Sequence, residues 1–418
     1  MNGPRVGALE TRADPLGEAF DLLAAYRPPD GVFFERRGRG VAGMAGSPPS
    51  TFAAIEPSDL SHAIDVLRGA IRGRSDVAPV AVGSLAFTRG SPPRAELMIP
   101  RRAVRRDGSG GTWRIDASYG DGISEDAPAF DRVIGRAPSE PFEPVQLREV
   151  PTPEGYRQAV REAITRITDG RIRKVVLART VEVVAGRAFD ARLLAQRLRA
   201  VDPDAYTFAA PTEHGVVVGA SPELLLSRRG NEVRSNPLAG SAPRSGDADE
   251  DRANAEALVA SSKDREEHAV VVEAVAETLR PFCVELTWDP EPVLRETPNI
   301  WHLSTRFRGA LKEPAASALE LVTELHPTPA VAGTPRDAAL DTIAELEPFD
   351  RGRYAGPVGW VDADGDGEWA IALRCAELRG DRATLYAGAG IVAGSDPAKE
   401  LDETERKFRA FLDALRWG

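Results

Sequence analysis

The chain has 418 residues, 42% of them apolar and 28% charged, which is enough to bury a sizeable core and excludes a single small module or a broadly disordered chain. Its 53 Lys and Arg against 64 Asp and Glu leave a net charge of −11, which argues against a nucleic-acid or anionic-lipid surface. A small anionic substrate would need local positive charge or a metal. Two cysteines, Cys283 and Cys375, are too few for a disulfide framework or a Cys-rich zinc site and fit a reducing compartment.

In chain order, the opening MNGPRVGALETRADPLGEAF carries acids and lacks the apolar core of a signal peptide. No run reaches the roughly 20 apolar residues of a membrane helix, so the expectation is a cytoplasmic protein without a membrane partner. Residues 1–50, rich in Gly, Pro and Arg, read as a variable N-terminal arm: loops, an edge hairpin or a partly mobile segment. Residues 51–150 read as the first part of an α+β domain: a helix in DLSHAIDVLRGAI capped by Asp59 or Ser61, a buried strand in APVAVGSLAF, a hairpin turn in RRDGSGGTWRI and a Pro-rich connector over 124–153.

Beyond Pro153 the patterns sharpen. Tyr156, Val160, Ile164 and Ile167 recur at helical spacing, KVVLART reads as a strand, and FDARLLAQRLRAV is a helix before strands at YTFAAP, HGVVVGAS, ELLLSRR and EVRSNP. One long helix is expected over 252–281, containing KDREEH, and two shorter helices flank HPTPAVAG. The C-terminal part reads GPVGWV, a DADGDG turn, EWAIALRCAELR, ATLYAGAGIVAG and a final helix from DPAKELDETERKF onward. Strands in antiparallel-looking runs with helices between blocks indicate α+β.

Two motifs mislead. DADGDGE begins like a calcium loop, but Leu373 stands where a bidentate Glu is needed, so a hairpin turn is the better reading. GAGIVAG has the spacing GxGxxxG and too little chain after it for a dinucleotide fold; its glycines fit close backbone approach to a ligand or tight packing.

The last helix places Glu400, Glu403 and Lys407 on one face beside an apolar stripe through Leu401, Thr404, Phe408 and Leu415. That face is either a solvated salt-bridged surface or the border of a pocket. Glu267 stands beside His268 before an apolar segment, and carboxylates from two helices would suit a hard divalent cation. Lys174 opens a β run, either at its solvent end or partly desolvated and suited to act as a base. Glu223 in GASPELLL is either a strand-end carboxylate or a buried acid with a raised pKa.

Taken together and in order, KVVLART, GASPELLL, SNPLAGSAPR, SSKDREEH, WHLSTRFRG, LHPTPAVAG, AELEPFDR, GDGEWAIALRCAEL, YAGAGIVAGSDP and ELDETERKF resemble the chorismate-utilising enzymes. The resemblance is strongest to isochorismate synthases of siderophore (2,3-dihydroxybenzoate), salicylate and menaquinone pathways and covers about 151–418, the expected chorismate-binding catalytic region. It implies one large domain like anthranilate synthase component I, with two layered, mainly antiparallel sheets flanked by helices, and Mg²⁺ as cofactor. By the same resemblance Lys174 is the base that activates water for attack at ring C2 and Glu223 the acid that protonates the departing C4 hydroxyl. Glu267 and Glu403 resemble metal ligands, with Glu400 nearby. Arg374 and Tyr354 match positions that hold the enolpyruvyl carboxylate, Gly388 would add a backbone N–H, Lys407 would lie by the metal-bound carboxylate, and Ser241 and His302 line the pocket in relatives.

Ala330 stands where pyruvate-eliminating relatives often have Thr, and Ala239 where aminodeoxychorismate-forming relatives carry a lysine. Both departures favour water as nucleophile and release of isochorismate over salicylate formation or an ammonia-using reaction. A monomer without a glutaminase subunit is expected. A catalytically silent homologue would have lost a catalytic residue, and Lys174, Glu223, Glu267 and Glu403 are all present.

Overall fold

Runs of β-branched and aromatic residues broken by Gly- and Asp-containing turns form the strands of this chain, and helices pack on the faces those strands leave open. The structure, a computed structural model, describes residues 9–17, 20–45, 51–54, 64–69, 71–72, 77–88, 95–106, 111–119, 130 and 144–416. Among the described residues the strands form a thirteen-stranded sheet, a nine-stranded sheet and a small three-stranded sheet. The third sheet, Leu238–Pro243, Ile300–Ser304 and Val293–Glu296, adds to the two that the sequence led us to expect.

The large sheet runs from Gln146–Val150 through Lys174–Val184, Arg382–Ile391, Cys375–Arg379, Gly215–Ser221 and Tyr206–Thr212. It continues through Val32–Arg36, Arg39–Met44, Arg102–Arg106, Thr112–Tyr119, Leu9–Leu16 and Ile71–Arg72. Its pairings are antiparallel except the last. The nine-stranded sheet centres on Leu224–Arg229, Gly367–Ile371, Pro357–Asp362 and Val80–Leu85.

Alternation along the strands divides two cores. In Gly215–Ser221, Val217 joins one core with Trp360 and Trp369 of the nine-stranded sheet, while Val216, Val218 and Ala220 join the other, under the helices Ala191–Val201 and Pro397–Leu415. No helix among the described residues is long and apolar enough to cross a membrane.

The expectation of a looped arm over residues 1–50 is corrected. Leu9–Leu16, Val32–Arg36 and Arg39–Met44 are strands of the large sheet, the latter two joined by the two-residue turn Arg37–Gly38 with φ of 51° and 75°. That is the positive-φ geometry of a tight hairpin turn, and Val32, Phe33 and Phe34 are buried. The abundant glycine that suggested loops has a packing reason: a Cβ at Gly40 would lie 2.0 Å from the Phe34 carbonyl oxygen. Val32–Arg36 pairs with Tyr206–Thr212 in the large sheet, and the later strand Val80–Leu85 pairs with Pro357–Asp362 in the nine-stranded sheet. The caps expected for the helix at 59–71, and most of the 124–153 connector, lie outside the described residues, while 64–68 are helical as expected.

The helix expected over 252–281 is two, Ala248–Ala260 and Ser262–Leu279. Ser261 ends the first with extended backbone and caps the second, its hydroxyl accepting from the Asp264 N–H. The DADGDG turn closes the hairpin between Pro357–Asp362 and Gly367–Ile371, with Gly365 at φ 82°. Its acids serve the turn: Asp362 accepts from the Asp364 and Asp366 N–H groups and pairs with Arg105 at 3.0 Å, and Asp366 pairs with Arg228 at 3.0 Å.

Behind the strand that carries Lys174 lies a buried ion pair. Arg351 donates to Glu347 (Nε to Oε2, 2.8 Å) and to the carbonyls of Val331 (2.8 Å) and Val176 (2.7 Å), while Glu347 accepts from the Ala178 N–H at 2.7 Å. Removing one member strands a buried charge, which costs about 3–5 kcal/mol. Arg351→Ala should therefore lower the unfolding free energy by about that amount in urea titrations; a loss under about 1 kcal/mol would mean the pair carries little of the fold.

Candidate active site

One cleft gathers side chains from segments spread between Glu223 and Lys407. Glu223 follows strand Gly215–Ser221, Ser241 and His302 come from the small sheet, and Ala330 from the loop after Ala318–Leu325. Arg374 lies between Gly367–Ile371 and Cys375–Arg379, Gly388 on Arg382–Ile391, and Glu400, Glu403 and Lys407 on the last helix. Asp396 sets that helix's start by accepting from the Ala398 and Lys399 N–H groups, and Glu267 approaches from Ser262–Leu279.

The bland reading of the last helix's charged face is overturned: Glu400 is 3% exposed, and each acid here has a lysine. Lys407 Nζ donates to Glu403 Oε1 at 2.6 Å and to the Gly388 carbonyl at 2.7 Å, and Lys263 Nζ donates to Glu400 Oε1 at 2.8 Å. Lys174, 1% exposed, is not at a solvent end; its Nζ lies 3.0 Å from Glu267 Oε1. That amine has no aligned hydrogen bond and sits behind Glu267 rather than in the cleft wall. Gly388, expected to offer its N–H, is engaged through its carbonyl.

Burial pushes the Glu223 carboxyl up to about 8, against a backbone N–H from Leu238 and the charges of Lys174 and Lys407, so it holds its proton at neutral pH. Burial also raises Glu400, reinforced by the neighbouring Glu403 charge and opposed by Lys263. Burial acts on Glu403 in the same sense, but Lys407 and the Ser241 hydroxyl outweigh it and hold that carboxyl below its ordinary value. Burial, with Arg374 and Lys407, pushes His302 down to about 3. The ring is neutral and stands 3.3 Å from the Arg374 guanidinium. Arg374 has φ 48°, rare for a side-chain-bearing residue, and its carbonyl accepts from the Ala220 N–H at 3.1 Å.

The three glutamates do not form a ready-made metal cluster among the described residues. Their chemistry nonetheless suits a hard cation: all donors are oxygens, and the charge of Glu403 raises Glu400, a like-charge cost that a divalent ion would relieve.

The sequence reading missed Lys263, Gly390 and Tyr386, all in the cleft wall. A Cβ at Gly390 would lie 2.1 Å from Glu267 Oε1, so the absent side chain makes room for that carboxylate. Spacing could have found two of them: Gly390 is two residues from Gly388 on one strand face, and Lys263 four residues from Glu267 on one helix face. Tyr386 stacks on Tyr354 with ring centroids 5.1 Å apart, a contact without a local sequence signal.

The family described as chorismate binding enzyme matches residues 121–416, most of the chain and every residue of this cleft. The chain belongs to the chorismate-binding enzyme family, in its isochorismate synthase branch. Isochorismate synthase DhbC of Bacillus subtilis is 48% identical over 276 residues, 64% of this chain and 69% of that protein. Isochorismate synthase EntC of Escherichia coli K12 is 43% identical over 278 residues, 66% of this chain and 71% of the relative. Among solved structures, the menaquinone-specific isochorismate synthase MenF of Escherichia coli superposes with a TM-score of 0.82 at 26% identity, covering 98% of this chain and 95% of that one. Anthranilate synthase component I of Streptococcus pneumoniae, at 21% identity and TM-score 0.68 over 98% of this chain and 93% of its own, shares the fold. The expected α+β architecture of this chorismate-binding enzyme is thus the one found.

The raised Glu223 carboxyl gives a stability signature. Between its ordinary value of 4.5 and about 8 the folded state holds a proton that the unfolded state has released, so this group's contribution falls as pH rises through that window. Glu223→Gln should flatten that decline, unfolding at higher urea than wild type at pH 9 but not at pH 5; equal pH slopes would contradict the buried-acid reading.

Proposed function

We propose that this isochorismate synthase-branch enzyme converts chorismate to isochorismate with water as the nucleophile, acting as a single cytoplasmic chain without a glutaminase subunit. The observation that carries the reading is Glu223, a carboxyl held protonated by burial at the wall of a cleft that also holds the cations Arg374 and Lys407. A protonated acid can turn a hydroxyl into a leaving water, which an ionised one cannot.

Lys174, once its ammonium has given up a proton and stands as the neutral amine, takes a proton from water as the water oxygen bonds to ring C2. Both ring double bonds shift by one position, and the C4–O bond breaks as Glu223 supplies a proton, so the departing group is also water. Added and lost water balance, leaving an isomerisation. The Lys174 amine reaches a water once the Glu267 carboxylate turns from it, and the 3.0 Å ion pair with no aligned hydrogen bond is suited to such a release. Arg374 offers a planar donor pair to a substrate carboxylate, with neutral His302 beside it accepting rather than competing as a second cation. Tyr354, seated on Tyr386, and Ser241 complete the polar wall, and small Ala330 leaves room for the ring.

Glu267 and Glu403, with Glu400 beside them, would hold Mg²⁺, which when bound supplies positive charge to neutralise and orient the ring carboxylate. A cation held there, together with Lys407 and Arg374, accommodates a dianionic substrate in a chain of net charge −11.

Chorismate with Mg²⁺ should yield isochorismate without glutamine, read by chromatography of the products, and EDTA should stop turnover. An amino product or released pyruvate would refute the assignment, the latter favouring salicylate formation. Lys174→Ala should lower kcat by about 10²–10⁴-fold while circular dichroism is unchanged. Gly390→Ala should keep the fold but displace Glu267 and cost at least about tenfold in activity, with a raised Mg²⁺ requirement; wild-type Mg²⁺ dependence in that variant would separate Glu267 from the metal.

A further inference from the structure

A second cleft, of about 690 Å³, opens between the hairpin Val32–Met44 of the large sheet and strand Leu224–Arg229 of the nine-stranded sheet. Arg36, Arg37, Arg39, Arg105, Arg229 and Arg234 line it against Glu232 and Glu368, a concentration of positive charge in a chain of net charge −11. Most of these arginines have carboxylate partners: Arg37 pairs with Asp204, Arg105 with Asp362 at 3.0 Å, Arg229 with Glu368 at 3.4 Å, and Arg234 with Glu232. Two have no carboxylate ion pair. Arg36 donates to the Asp204 carbonyl at 2.8 Å and the Tyr206 hydroxyl at 2.9 Å and is balanced only in part by the Asp204 carboxylate, which Arg37 holds, and exposed Arg39 has no side-chain partner among the described residues.

The placement of those two is costly without a ligand. Arg36 and Arg39 face each other directly across the hairpin, where like charges destabilise the pairing. Arg295 adds a third cation to this edge, its Nη2 sharing the Asp204 carbonyl with Arg36 at 3.3 Å. On the opposite wall the Trp360 ring fixes two guanidiniums in place, with Arg105 at 4.5 Å and Arg229 at 4.6 Å from its centroid. Several guanidiniums held in a concave space by rings and backbone are a preorganised receptor for phosphate oxygens, which the planar fork of arginine grips in pairs.

We propose that this cleft binds a small polyanion bearing phosphate groups, apart from the chorismate cleft. The acidic charge of the chain as a whole disfavours an extended nucleic acid, and the enclosed volume suits a small molecule.

Titration calorimetry of the full chain with inorganic pyrophosphate, without divalent cation, tests this. The expected result is saturable one-to-one binding that weakens as NaCl rises, falls at least tenfold in Arg39→Glu/Arg229→Glu, and persists in Lys407→Ala of the chorismate cleft. Arg39→Ala alone removes only a partnerless exposed side chain, so it keeps the test decisive should the double variant fail to fold; a twofold or greater loss supports the site. Absence of saturable binding, unchanged affinity in the arginine variants, loss in Lys407→Ala instead, or tighter binding of citrate than of pyrophosphate would each overturn the proposal.

Discussion

The chorismate cleft depends on one close approach. The Glu267 carboxylate occupies the space that a side chain at position 390 would fill, and from there it meets the buried ammonium of Lys174 at 3.0 Å. Neither charge could be held so far from water alone, because an unpaired ion in the interior is expelled or neutralised. Gly390 therefore fixes where helix Ser262–Leu279 can sit against the large sheet, and that seating places the rest of the helix's polar face, including Lys263 on Glu400, over the cleft.

The same logic of local pairing recurs around the wall. Three lysines each hold one glutamate, so a site crowded with acids carries little net charge. Glu223 is the exception. It has no lysine in contact and answers burial by keeping its proton. Its chemical difference from Glu403, which Lys407 holds ionised, is set wholly by surroundings, since the side chains are identical.

Much of this was legible in the sequence. Helical spacing put Glu400, Glu403 and Lys407 on one face at the edge of an apolar stripe, and the structure keeps both the face and the stripe. The strands KVVLART and HGVVVGAS announced themselves by β-branched residues. Spacing could not say that Lys174 is buried, because its depth is set by Glu267 ninety-three residues later and by a strand near the C-terminus. It also misjudged the first 50 residues, where glycines that permit strands to touch look, one residue at a time, like those of a loop. The split at Ser261 was hidden because both helices are polar enough to read as one; only the serine's extended backbone and its cap divide them.

The interleaving of the strands bears on how the chain is made. Strand Val32–Arg36 finds its outer neighbour in Tyr206–Thr212, and Val80–Leu85 finds its neighbour in Pro357–Asp362, nearly three hundred residues downstream. During synthesis the early strands emerge with their hydrogen-bonding edges open and must wait for partners that the ribosome has yet to deliver. Pairing of such remote segments is slow, since the loop between them must close before any contact rewards it. A nascent chain of this design is exposed to aberrant edge pairing until its last third arrives, a vulnerability that a chaperone bound to the early hairpin would cover.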